Sequence, residues 1–109
     1  MPLKRLKEKT TTENLWLYIL ALLIKKPVYA YEIRDRISEE FGFDIGNVTA
    51  YIVLYRLEKD GYVTTEWKSG VHERKYYRIT PKGREALDDG INHLKELVKM
   101  LSPKKTIRQ

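Results

Sequence analysis

The stretch Leu15-Trp16-Leu17-Tyr18-Ile19-Leu20-Ala21-Leu22-Leu23-Ile24 contains no charged residue and closes against Lys25-Lys26-Pro27. Proline lacks a backbone N–H and clashes with the preceding turn, so a helix through this stretch stops before Pro27. The run is too short to cross a bilayer, which takes about 20 residues. It also lacks the small-residue cleavage pattern of a signal peptide. It therefore reads as a buried helix. Leu15, Ile19, Leu22 and Leu23 fall on one face, while Leu17, Leu20 and Ile24 cover the others. A helix that is apolar nearly all round needs cover on two sides. One side belongs to its own domain, and the second is expected to meet another subunit.

This helix is expected to begin at Thr10-Thr11-Thr12-Glu13, where Thr10 and Glu13 have capping-box spacing. A second helix is predicted from Tyr29 to Phe41: Ile33, Ile37 and Phe41 recur every four residues, with Glu32, Arg34, Asp35, Arg36 and Glu39 on the outer face. Gly42-Phe43-Asp44-Ile45-Gly46 makes the turn into a third helix, with Asn47 as its N-cap and Asp60 as its last residue. Gly61 supplies the left-handed residue that commonly ends a helix. Ala50, Val53, Leu54 and Leu57 point inward; Thr49, Ile52, Arg56 and Lys59 follow the opposite face, flanked by Tyr51 and Tyr55.

Alternation over Tyr62–Trp67 and Arg74–Thr80 predicts two strands, joined by the polar connection Lys68-Ser69-Gly70-Val71-His72-Glu73. Thr80 and Pro81 then open a long helix that ends near Leu101, before Pro103. Leu87, Ile91, Leu94, Val98 and Leu101 are spaced as a short coiled-coil seam, which Gly90 is expected to weaken.

The chain has 109 residues, no cysteine and a formal charge of +6. A chain this long makes one domain, and without thiols it has neither disulfides nor thiolate metal sites, so a cytoplasmic protein is the expectation. Lys4, Arg5, Lys7 and Lys9 against Glu8 give residues 1–12 a net +3, and Lys104, Lys105 and Arg108 give residues 102–109 another. The remainder is neutral. Charge alone therefore fits nucleic acid, a membrane surface or plain solubility, although neither tail carries an amphipathic apolar face that would insert into lipid.

The predicted fold class is mostly α with a small β-hairpin wing: a winged helix-turn-helix plus a long C-terminal dimerisation helix. Residues 1–12 form a flexible basic arm, 13–80 the winged helix, 81–101 the dimerisation helix and 102–109 a disordered basic tail. The sequence resembles the PadR family of transcriptional regulators. The resemblance is carried by Leu17-Tyr18-Ile19-Leu20 and Tyr29-Ala30-Tyr31-Glu32-Ile33. It continues through Thr49-Ala50-Tyr51, Leu54-Tyr55-Arg56-Leu57-Glu58 and Gly61-Tyr62-Val63, then Arg74-Lys75-Tyr76-Tyr77-Arg78-Ile79-Thr80 and Gly83-Arg84. Val48, Ile52, Ala30 and Ser69–Glu73 depart from the family pattern, which removes any basis for carrying over an operator sequence. Some family members bind planar drugs between tryptophans of the last helix; residues 81–101 have none, so that property does not carry over.

The resemblance implies a homodimer on double-stranded DNA, repressing from a pseudo-palindromic operator. Thr49, Tyr51, Ile52, Tyr55 and Arg56 are the candidates for groove contact, Lys68, His72, Arg74 and Lys75 for the wing, and Lys4 and Arg5 for an arm. Each has a plainer reading: core packing for the tyrosines, an ion pair with Asp60 for Arg56, a solvated hairpin for the wing and simple disorder for the arm. The candidate dimer interface is Leu17, Leu20, Ile24, Leu87, Ile91, Leu94, Val98 and Leu101. Trp16 and Trp67 have two readings, the edge of a hydrophobic ligand pocket at the dimer interface or, the favoured one, packing residues. His72 and His93 lie in different elements, so no metal or other cofactor is expected, and no residue pattern supports a small-molecule effector. Ser38, Ser69 and Ser102 have no acid–base partner, so no enzymatic activity is expected. The alternative is a winged-helix module that binds protein without specific DNA contact.

Overall fold

Pro27 stops the apolar helix as expected, but the chain then enters a two-residue strand before the next helix. The computed structural model describes residues 1–70 and 73–103. Its order is α1 (Pro2–Thr10), α2 (Leu15–Lys25), β1 (Val28–Tyr29), α3 (Ile33–Phe41), α4 (Asn47–Lys59), β2 (Val63–Lys68), β3 (Arg74–Ile79) and α5 (Pro81–Leu101). Short 3-10 turns at Thr12–Asn14 and Ala30–Glu32 precede α2 and α3. The strands form one antiparallel sheet in the order β1-β3-β2, with Val28 opposite Tyr77 and Val63 opposite Ile79.

Three boundaries correct the sequence reading. Residues 2–10 form a helix where a flexible arm is expected, because Pro2 sits in its first turn and lysine, leucine and glutamate are good helix formers. Thr10 closes this helix instead of opening the next: its hydroxyl donates to the Leu6 carbonyl at 2.7 Å, so the capping box does not form. None of the α1 residues is buried. The helix is tethered by the Tyr18 hydroxyl, which donates to the Thr10 carbonyl at 2.5 Å, and by Lys9, whose ammonium lies 2.8 Å from Glu13 and is held above its usual pKa range by that carboxylate. Next, α3 starts at Ile33, four residues later than expected, because Val28 and Tyr29 pair with β3. Finally, Gly46 occupies the N-cap of α4, and Asn47 is its first residue. The Asn47 side chain instead accepts from Arg34 Nη1 at 2.9 Å, while Arg34 Nε donates to the Ile45 carbonyl at 2.8 Å. One guanidinium thus ties α3 to the turn and to the start of α4.

The core is built around α2. Leu15, Ile19, Leu20, Leu22 and Leu23 are buried among Ile33 and Ile37 of α3, Ala50, Leu54 and Leu57 of α4, the sheet residues Val28, Val63, Tyr77 and Ile79, and Leu87 of α5. Leu20 and Leu87, both expected at a dimer interface, are buried in the chain's own core. The face of α2 that includes Leu20 packs on other elements of the same chain.

Thr80 joins the winged part to α5. Its hydroxyl accepts from the Gly83 N–H at 3.0 Å, the expected N-cap bond, and donates to the Gly61 carbonyl at 2.7 Å. Its own N–H donates to the Tyr62 carbonyl at 3.1 Å. Gly83 lies so close to that same carbonyl that a β-carbon would overlap it. Gly90, expected to weaken the helix, sits at a close approach of its neighbour: a β-carbon there would meet Leu17 Cδ2 at 2.7 Å and Trp16 Cη2 at 3.0 Å. The ends of two α2 side chains thus rest against α5 at its glycine.

Candidate nucleic-acid interface

Helix α4 sorts its side chains cleanly. Ala50, Leu54 and Leu57 are buried, Val53 is half-buried, and Val48, Thr49, Tyr51, Ile52, Tyr55 and Arg56 are exposed. Tyr55 keeps 63% of its surface and Ile52 53%, so neither is a core residue. Arg56 makes no ion pair with Asp60 among the described residues; both border a recess of about 360 Å³ with Trp16, Val53, Leu57, Tyr62 and Ala86. The outer face of α4 is thus a continuous strip of hydroxyl, apolar and cationic groups, which is the repertoire that reads base edges in a major groove.

The wing is more constrained than the sequence suggests. Lys68 Nζ sits 4.9 Å from the centre of the Tyr76 ring, and Arg74 lies at the same distance from Tyr29. Lys75 turns to the other side of the sheet, 3.9 Å from Glu58 of α4. That carboxylate also accepts from the Thr65 hydroxyl at 2.9 Å, so Glu58 fastens the wing to α4. Arg78 pairs with Glu66 of the neighbouring strand at 3.4 Å. Of the wing cations, Lys68 and Arg74 remain without carboxylate partners among the described residues, while Lys75 and Arg78 are engaged. His72 lies outside the described residues. Trp67, expected to pack, is 63% exposed on β2 opposite Lys75. Lys4 and Arg5 lie on α1, whose last residues, Lys9 and Thr10, border a groove between α2 and α5.

That groove encloses about 520 Å³ and is lined by Trp16, Leu17, Ala21, Ile91, Leu94 and Leu97 among others. Beyond it α5 continues with Val98 66% and Leu101 81% exposed. Ile24, Ile91 and Leu94 are also exposed, and Leu17 is half-buried. Leu97 and Trp16 belong to this surface although the heptad spacing does not select them. Tyr29, Tyr31 and Tyr76 form an aromatic cluster beside the wing that no local spacing in the sequence marks as part of the site. Tyr29 and Tyr76 are neighbours only because of a strand too short to show any period.

Helix, turn and helix followed by a sheet hairpin, with the second helix of the pair exposing its polar face, define a winged helix-turn-helix. Residues 19–89 match the transcriptional regulator PadR-like family, and the chain belongs to it. It is therefore a transcriptional regulator of that family, not an enzyme. A transcriptional regulator of Mycobacterium tuberculosis is 32% identical over 84 residues, covering 76% of this chain and 78% of that one. The structure of a transcriptional regulator from Clostridium thermocellum superposes with a TM-score of 0.73 at 31% identity, over 80% of this chain and 88% of the other. Bacillus subtilis PadR, solved in complex with operator DNA, superposes with a TM-score of 0.65 at 25% identity. That match covers 87% of this chain and 52% of the longer protein. No described helix is long and apolar enough to cross a membrane, and no described cluster of His, Asp and Glu is arranged to hold a metal ion.

Proposed function

We propose that the chain binds double-stranded DNA as a homodimer and represses transcription from a pseudo-palindromic operator. The observation that carries this reading is the exposed face of α4, where Thr49, Tyr51, Ile52, Tyr55 and Arg56 stand clear of the core on a helix whose inner face is anchored by Leu54 and Leu57. Lys68 and Arg74 on the wing reach the neighbouring backbone. Bacillus subtilis PadR, which superposes on this chain, was solved in complex with operator DNA, and that supports the DNA-binding part of the reading. The second subunit covers Leu17, Ile24, Ile91, Leu94, Val98 and Leu101, apolar residues that α2 and α5 leave wholly or partly uncovered. A two-fold axis through α5 sets two recognition helices on one face of the duplex, with half-sites about 34–36 Å apart.

The test is a titration of the protein with a duplex from its own upstream region and with a scrambled duplex, each across a salt series, alongside sedimentation for the oligomeric state. Tight binding to the first duplex, a steep salt dependence on both and a dimer in solution are expected. A second reading, a protein-interaction module, is favoured by Val48 and Ile52, which make part of the α4 face apolar. Absence of binding to either duplex at low salt removes the DNA reading and turns the search to protein partners.

A further inference from the structure

Between α4 and the start of α3, with the turn that leads into it, lies a recess of about 460 Å³; of the expected groove and wing residues only Tyr51 lines it. Tyr31 and Tyr51 stand at its edges, and Arg34, Asp35 and Asn47 contribute its polar wall. Tyr31 is 73% exposed, an unusual position for so large an aromatic. It is nevertheless braced: its ring meets Tyr29 edge-on with centroids 5.4 Å apart, and Tyr29 is itself backed by Tyr76 and capped by Arg74. Arg34 is fixed by its bonds to the Ile45 carbonyl and the Asn47 side chain, and it has no ion-pair partner among the described residues. A guanidinium carries five donors, so two bonds leave donors and the full positive charge for another acceptor. Asp35 in the same wall opposes an anion, which places the acceptor towards Arg34 and the two hydroxyls.

Resting on the DNA-binding reading above, we infer that this recess seats one phosphodiester of the duplex backbone, with the Tyr31 and Tyr51 hydroxyls donating to its oxygens and Arg34 neutralising it. One sugar-phosphate strand separates the major groove from the adjacent minor groove. A protein that puts α4 in the first and its wing towards the second must meet that strand in between. The contacts run in that order here: Tyr51 on α4, the recess, Tyr31, Tyr29, then Arg74 on the wing. The backbone strand is clamped at a point that carries no base information, and it sets the register in which α4 meets the bases.

Tyr31→Phe tests the assignment, because it removes one exposed hydroxyl and leaves the ring packing in place. Binding is measured with the full chain and a duplex from its own upstream region, in parent form and with single neutral methylphosphonate linkages scanned along each strand. The expected result is about tenfold weaker binding per half-site for Tyr31→Phe, the size of one hydrogen bond to a charged group, and so about a hundredfold for a dimer on a full operator. One linkage per half-site should also weaken the parent, and weaken the variant by less, because the variant has already lost one of the three contacts made there. If Tyr31→Phe binds as the parent does while Arg56→Ala is weakened, the phosphate seat is overturned and the DNA-binding reading stands. If the parent binds no duplex, both fall.

Discussion

Gly83 and the carbonyl of Tyr62 are in contact across the junction of the wing and α5, with no room for a β-carbon between them. The neighbour is backbone, held by the Thr80 N–H, so it cannot step aside. Gly83→Ala is therefore expected to destabilise the fold by about 2–3 kcal/mol, as an overpacked core position does. Gly90→Ala meets only the ends of the Leu17 and Trp16 side chains, and an alanine gains up to about 1 kcal/mol of helix propensity. Its net change should stay within about 1 kcal/mol. Urea unfolding of the two variants side by side measures the difference, and equal losses would contradict this account.

Arg56 lies on the exposed strip of α4 with no ion-pair partner among the described residues. Arg56→Ala should leave stability within about 0.5 kcal/mol. If it meets a phosphate, the salt dependence of binding loses about one unit of slope per subunit, about two for a dimer; if it meets guanine, the slope holds and discrimination falls by about 1–3 kcal/mol per half-site. Salt-series titrations of parent and variant separate the two.

Leu87 and Val98 share the seam on α5 but face different surroundings. Leu87 is in the core and Val98 is open to solvent. Leu87→Ala is expected to cost about 2–5 kcal/mol of stability. Val98→Asp should leave the monomer folded and shift sedimentation towards monomer, because it puts a charge where the proposed second subunit packs. A Val98→Asp protein that sediments like the parent removes the distal seam from the interface.

Glu58 holds the wing through the Thr65 hydroxyl and, more loosely, through Lys75. Glu58→Gln retains an acceptor for Thr65 and loses a half-exposed ion pair, so it should change stability by less than about 0.5 kcal/mol. Glu58→Ala loses the hydrogen bond too and is expected to cost about 1 kcal/mol. Thermal unfolding of both variants orders the two contacts.

The sequence made some of these features plain and hid others, for physical reasons. Helices α4 and α5 are readable because their apolar spacing is long, and Gly61 and Thr80-Pro81 punctuate them strongly. Strand β1 is not, because two residues carry no period and its pairing partner lies far along the chain. Leu20 was misplaced because a helix apolar on every side gives no sign of which side the same chain covers; only the packed fold shows that it is buried. The Arg34 anchor and the Tyr29–Tyr31–Tyr76 cluster depend on contacts between separate elements, which no local spacing encodes. The tight approach at Gly90 was likewise hidden, since a glycine in a helical pattern looks like a weakness until the neighbouring helix is in place.

The bonds that Thr80 makes to Gly61, Tyr62 and Gly83 leave no hinge between the winged part and α5. Each head then behaves as the end of a lever whose arm is the helix itself. An insertion of one residue in α5 past Leu87 would turn the distal seam by about 100° and advance it about 1.5 Å. In a dimer joined through that seam, the same step would change the angular phase between the two heads. DNA repeats every 10–10.5 base pairs, so such a change would alter which spacings of half-sites the protein accepts while every residue that touches the bases stays the same. Operator spacing and operator sequence could thus drift apart in evolution, the first written in α5 and the second in α4.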